Sequence, residues 1–165
     1  MKLIPLSKGY YSKVDDDMYD YLMQWSWYAK LSRTSNSYYA TRNGGKADGD
    51  RRYKTIPMAS VIMDGDTGSR VDHIDRDSLN NQRYNLRFVT RSQNGFNRSI
   101  ASNSTSGYKG VIFCKGSNKW RPQITFQAKR YYCGRYSCKH EAARAWNLMS
   151  KKYHGEFGYQ NIIID

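Results

Sequence analysis

Val71-Asp72-His73-Ile74-Asp75-Arg76, followed by Asn80-Asn81, by Asn85-Leu86-Arg87-Phe88-Val89-Thr90 and by Gln93-Asn94, decides how this chain is read. An acid stands beside a histidine, and asparagines return 12 and 21 residues downstream of His73. Val71 to His73 has the character of a short strand, Asp75 to Asn81 that of a polar turn-rich loop, and Leu86 to Val89 that of a returning strand. Thr90 and Gln93 have the T-x-x-Q spacing of a capping box, so a helix is predicted from Thr90 with Asn94 in its first turn. The spacing therefore predicts a ββα unit in which Asp72, His73, Asn85 and Asn94 converge as a small metal site. An isolated Asp-His pair would be read more simply, as a turn residue beside a strand histidine. Four positions in the right order plus a cap favour the site.

Composition narrows the class. A chain of 165 residues with 39% hydrophobic and 15% aromatic content supports one domain or two small ones, each with a modest core. Its 15 tyrosines suit half-buried strands and contact surfaces. A net charge of +13 and a pI near 9.7 point to a polyanionic partner. Residues 1–97 carry 15 Lys and Arg against 11 Asp and Glu, a net +4, whereas residues 98–165 carry 12 against 3, a net +9. The second half is thus the expected binder. Cys114, Cys133 and Cys138 have no C-x-x-C spacing, so neither a zinc ribbon nor a disulfide framework is expected, and a reducing, cytoplasmic setting fits. No signal peptide or membrane-spanning run is visible, and no membrane partner is expected. A monomer is the favoured state.

Along the chain, Leu3 to Leu6, Tyr10 to Val14, Trp25 to Ala29 and Tyr38 to Thr41 are predicted as short antiparallel strands. Asp15 to Met23 is predicted as a short helix with acids at its positive end. A charged, glycine-containing loop is expected over 42–53, then a strand at Thr55 to Met58 and a short helix over 59–63. Residues 98–106 have linker composition. Tyr108 to Cys114, Trp120 to Gln127 and Arg130 to Tyr136 follow as three strands, and His140 to Tyr153 as a helix with Ala142, Ala145, Trp146 and Met149 on one face. The fold class is α+β: a ββα-metal unit preceded by short antiparallel strands over 1–97, a linker over 98–106, and a three-stranded sheet plus helix over 107–165. In the second strand the period of two sends Trp120, Pro122 and Ile124 towards the helix and Arg121, Gln123 and Thr125 outwards, with Arg130 and Tyr132 on the same outer face.

The D-H-x-D, N-N, N-L-R-x-V-T series at Asp72 to Thr90 resembles the HNH endonucleases, most closely bacteriophage homing-type members. Ile4-Pro5-Leu6, Val14-Asp15-Asp16 and Trp25-Ser26-Trp27-Tyr28 resemble the segment that precedes the motif in those enzymes. The resemblance implies a metal-dependent endonuclease acting on double-stranded DNA, with Asp72 and Asn94 as metal ligands, His73 as general base and Asn85 orienting the imidazole. Oxygen ligands suit Mg²⁺ or Mn²⁺, whereas Zn²⁺ prefers His and Cys. The chain departs from its relatives at Ala59-Ser60, where a His-Arg pair is common.

Tyr108-Lys109-Gly110-Val111, Lys119-Trp120, Tyr132-Cys133-Gly134, Glu141 to Trp146 and His154-Gly155 resemble the ethylene-response-factor (Apetala) DNA-binding domain, which lays a sheet face in the major groove. That resemblance implies DNA contacts from Lys109, Arg121, Gln123, Thr125, Arg130 and Tyr132. Two other readings remain at this level. One is a DNA-binding regulator with an impaired nuclease half, suggested by Ala59-Ser60; the other is an RNA-binding protein whose tyrosines stack on bases.

Overall fold

The structure is a computed structural model that describes residues 1–33, 35–46, 53–65, 70–101 and 103–164. Among the described residues it is a mixed α and β structure with small antiparallel sheets. The chain divides into two compact units, Met1–Thr90 and Arg91–Asp165.

In the first unit, β1 (Lys2–Pro5) and β2 (Tyr11–Val14) form a hairpin, with Ile4 opposite Ser12. The helix α1 (Asp16–Leu22) follows with Asp16 and Asp17 in its first turn, where acids complement the helix dipole. β3 (Tyr28–Leu31), β4 (Tyr38–Lys46) and β5 (Tyr53–Pro57) make a three-stranded antiparallel sheet, and α2 (Met58–Ile62) follows directly. β6 (Val71–His73) pairs with β7 (Leu86–Phe88), placing Asp72 opposite Arg87 and His73 opposite Leu86. Ile4, Val14, Leu22, Trp27, Met58, Ile62 and Leu86 supply much of the core of this unit.

Two expectations change here. Trp25 and Trp27 precede β3 rather than opening it, because their rings wrap the end of α1: Trp27 Nε1 donates to Leu22 O at 2.7 Å, and the Arg42 guanidinium lies 4.4 Å over Trp25. The expected loop over 42–53 is partly strand, since β4 runs on to Lys46; residues 47–52 lie outside the described residues.

The second unit opens with α3 (Arg91–Phe96) and continues with β8 (Val111–Cys114), β9 (Lys119–Phe126), β10 (Lys129–Tyr132) and the long α4 (Lys139–His154). The sheet order is β10-β9-β8, all antiparallel. Pro122 and Ile124 are buried, as the alternation requires for residues facing α4, and Tyr131 stacks on Tyr153 of that helix at 4.5 Å. The segment read as a linker is partly built into this unit. Ser106 is buried and donates to Val111 O at 2.8 Å, and Ile100 packs on the second core.

Gly110 lets the entry to β8 pass against α4. Its φ is +69°, its carbonyl accepts Gln123 N at 2.7 Å, and Gln123 O accepts Trp146 Nε1 at 2.9 Å. A Cβ there would fall well inside contact distance of Trp146 Nε1 and Gln123 O. Gly110→Ala is therefore expected to destabilise the second unit by at least about 2 kcal/mol, through backbone strain and steric overlap together. Chemical denaturation followed by tryptophan fluorescence measures it; an unchanged midpoint would contradict this account.

Candidate active site

The loop between β6 and β7 is built from its own polar side chains. Asp75 is its centre: Oδ1 accepts Asp77 N and Asn85 Nδ2, each at 2.8 Å, and Oδ2 accepts Asn80 Nδ2 at 2.8 Å. Asn85 completes a reciprocal pair, its Oδ1 accepting Asp75 N at 2.9 Å while its Nδ2 also donates to Asn80 O at 2.8 Å. Asn85 is almost wholly buried. Its side chain was expected to orient the imidazole; instead its hydrogen bonds hold the loop.

The amide on the imidazole is that of Asn81. Asn81 Oδ1 lies 3.1 Å from His73 Nε2, and Asn81 Nδ2 donates to Ser12 Oγ at 2.8 Å. With Nδ2 turned to Ser12, Oδ1 faces the ring, and a neutral ring paired with that oxygen donates from Nε2. His73 is buried, and burial pushes its imidazole below the ordinary value; the Asn81 hydrogen bond and the charges of Asp72, Asp75 and Asp77 oppose that shift in part. The ring is thus neutral near pH 7 and able to take up a proton. The Tyr39 ring lies edge-on to it, 6.1 Å between centroids.

Asp72 follows a different path. The alternation of the strand turns it to the face opposite His73, where its cross-strand partner Arg87 donates from Nη2 at 2.9 Å and from Nε at 3.2 Å to Oδ2. Both side chains are largely buried, at 11% and 13% relative exposure for Asp72 and Arg87. Asp72, His73 and Asn85 thus all belong to the first unit, whereas Asn94 lies on α3, in the second.

Among the described residues no three His, Cys, Asp or Glu side chains are grouped to hold a metal. Asp75 and Asp77 are engaged in the loop, Asp77 with Lys13 Nζ at 2.9 Å and Leu79 N at 3.1 Å. The oxygen donors at the predicted ligand positions are the Asp72 carboxylate and the Asn94 amide. Oxygen donors of this kind suit Mg²⁺ or Mn²⁺ better than Zn²⁺.

Asn81, Ser12 and Arg87 were not assigned roles from sequence. Asn81 and Arg87 lie inside the motif, but their residue types repeat within it and carry no signal of their own. Ser12 is 61 residues upstream of His73 and carries no local signal. At Ala59-Ser60, Ala59 is buried in the first core, so that position faces inwards.

In the second unit Arg121, Gln123, Thr125, Arg130 and Tyr132 share one sheet face: Arg130 is opposite Thr125, Tyr132 is opposite Gln123, and the Arg121 guanidinium lies 4.4 Å over the Tyr132 ring. Lys109 is elsewhere. It precedes β8, and its ammonium donates to Phe96 O at 2.7 Å and Arg98 O at 2.6 Å, closing the end of α3. A basic side chain is drawn there by carbonyls at a helix C-terminus.

The hairpin thus carries a buried imidazole and an acid on successive residues. Residues 65–96 match the HNH endonuclease family. The chain is also 31% identical over 161 residues to a protein of Acanthamoeba polyphaga mimivirus named as an HNH endonuclease, covering 98% of this chain and 80% of that one. It is 34% identical over 64 residues to Protein 3.8 of Escherichia phage T7, covering 39% of this chain and 53% of that protein. The chain belongs to the HNH endonuclease family, and its activity is that of a nuclease, a hydrolase. Among the described residues no helix is long and apolar enough to cross a membrane.

Because Asn85 holds Asp75 at both backbone and side chain and also the carbonyl of buried Asn80, Asn85→Ala should lower unfolding stability by about 1–3 kcal/mol through the loss of these hydrogen bonds together. His73→Ala should leave the loop bonds in place and change stability less. Thermal unfolding of the two variants side by side checks this, and equal losses would contradict the division of roles.

Proposed function

We propose that this chain is a divalent-metal-dependent endonuclease of homing type that hydrolyses phosphodiester bonds in duplex DNA, with the second unit supplying much of the DNA affinity. The observation that carries the reading is His73: buried, with burial pushing its imidazole below the ordinary value, and paired at Nε2 with Asn81 Oδ1. Nδ1 takes the proton from the attacking water, which needs a base that is unprotonated near pH 7. Asp72 and Asn94 are the residues that would hold Mg²⁺ or Mn²⁺, whose bound charge would stabilise the scissile phosphate and the leaving oxygen. Arg87 fixes the Asp72 carboxylate and brings a positive charge beside it.

The sheet face of the second unit supports the DNA-binding part. Arg121 Nε and Gln123 Oε1 are buried atoms with no intramolecular partner among the described residues, and they stand on the outer face beside Tyr132. Arg and Gln side chains on such a face match the edges of guanine and adenine. The net +9 over residues 98–165 supplies the sequence-independent attraction. On this reading the outer face of β9 and β10 lies against the duplex, as in the Apetala-type domains that the segment resembles.

Supercoiled plasmid incubated with the purified chain and Mg²⁺ should be nicked or linearised, and EDTA should stop the reaction. His73→Ala should reduce the rate by at least about 100-fold, the lower end of what a general base contributes, with DNA affinity in EDTA unchanged. A variant retaining more than a tenth of the wild-type rate would remove His73 as the base. The rate should fall on acidification with a midpoint below that of a solvent-exposed imidazole, since burial favours the neutral ring and the base is lost only when it is protonated.

The full chain carrying Arg121→Ala and Arg130→Ala should bind duplex DNA more weakly. The slope of log K against log salt should become shallower by about 0.9 for each phosphate contact removed. Fluorescence anisotropy across a salt series measures this, and an unchanged slope would take this face off the DNA.

A further inference from the structure

The period of two along β2 places Ser12 in line with Val14 and opposite Ile4, at a position facing the first core. All three are buried, and Ser12 and Val14 have no exposed surface. A hydroxyl at such a place costs stability unless it is hydrogen-bonded. Ser12 Oγ has three neighbours: Asn81 Nδ2 at 2.8 Å, Leu79 O at 3.2 Å and Met58 Sδ at 3.3 Å.

The proton assignment follows. Leu79 O and Met58 Sδ only accept, so the Ser12 hydroxyl turns its proton to that side and presents its lone pairs to the Asn81 NH2 group. A reversed Asn81 amide would place Oδ1 against Ser12 Oγ. The hydroxyl would then turn to Oδ1 and leave its own lone pairs facing Leu79 O. The amide group, turned to the ring, would require the proton on Nδ1 of His73, the nitrogen that has to accept one. Ser12 therefore selects one of two amide orientations, and through it one of two imidazole tautomers.

The placement is secured by backbone. Lys13 N donates to Leu79 O at 2.8 Å and Asn81 N donates to Lys13 O at 2.8 Å, so β2 clips onto the loop on both sides of Asn80. Asp15 extends the clip, accepting Gln82 Nε2 at 3.1 Å and Arg83 N at 2.8 Å. All these leader residues lie outside the stretch that matches the family, which begins at residue 65.

We infer that Ser12 is a positioning residue of the nuclease site, acting through Asn81 to hold His73 with its proton on Nε2 and its lone pair on Nδ1. This rests on the reading of His73 as the base, and the test separates the two. The full chain labelled with ¹⁵N-histidine reports the tautomer from its ring nitrogen shifts, at a pH where the ring is neutral; the His73 signals are those lost in His73→Gln. The unmodified protein should show the Nε2–H form. Ser12→Ala should populate the Nδ1–H form and slow cleavage at least about tenfold, with DNA affinity in EDTA unchanged. In an Asn81→Ala background, Ser12→Ala should add no further loss, since the two act in series.

An Nδ1–H ring in the unmodified protein would overturn the proposal without any variant, which also covers the case in which Ser12→Ala does not fold. A Ser12→Ala protein with the wild-type tautomer overturns it too, whatever its rate. A changed tautomer with an unchanged rate would leave the relay standing and remove His73 as the base.

Discussion

The Asp75 carboxylate gathers Asp77 N, Asn80 Nδ2 and Asn85 Nδ2 at 2.8 Å each, and the conformation of the β6–β7 loop depends on it. Each donor comes from a different part of the loop, so satisfying one carboxylate bends the whole segment into a single shape. Hydrogen bonds to a charged acceptor are stronger than neutral ones, and several converging on one group reinforce each other. From that shape Asn81 is turned inward to His73, Asp77 outward to Lys13, and Arg83 towards Asp15 and Asp17 of the leader. Strand β2 lies against the loop in that shape.

The hairpin carries its chemistry on two faces. His73 points to the side that holds Asn81, Ser12 and Tyr39, and Asp72 to the side that holds Arg87. Burial keeps the imidazole neutral, while the ion pair with Arg87 gives the buried Asp72 charge a partner that it could not do without. An imidazole and a carboxylate on successive residues are thereby kept in different electrostatic surroundings.

The second unit shows the same economy of polar groups. Trp146 Nε1 closes on Gln123 O, Asn161 Oδ1 accepts Lys109 N at 2.7 Å, and Ser150 Oγ donates to Tyr159 O at 2.8 Å, so the C-terminal tail is sewn to α4. Helix α3 is fastened there as well. Phe96 stacks on His154 with 3.7 Å between ring centroids, and Lys109 takes the carbonyls of Phe96 and Arg98. These contacts explain why the helix that the motif predicts after β7 belongs, by packing, with the sheet and α4 of the second unit.

The sequence by itself determined the order of elements and which way their side chains face. Turn residues between apolar runs marked β6, the loop and β7, and alternation along β9 separated Pro122 and Ile124 from Arg121, Gln123 and Thr125, because a strand has a fixed period of two. Periodicity also misled at Trp25 and Trp27, whose rings close the end of a helix instead of entering a strand. The tertiary structure alone decided which of three asparagines meets the imidazole, that Ser12 stands behind it, and that Lys109 serves a helix end rather than the sheet face. Asn80, Asn81 and Asn85 offer the same donors and acceptors, so composition cannot rank them. Their partners follow from the path of the loop around Asp75 and from the approach of a strand more than 60 residues away in the chain, which no local pattern records.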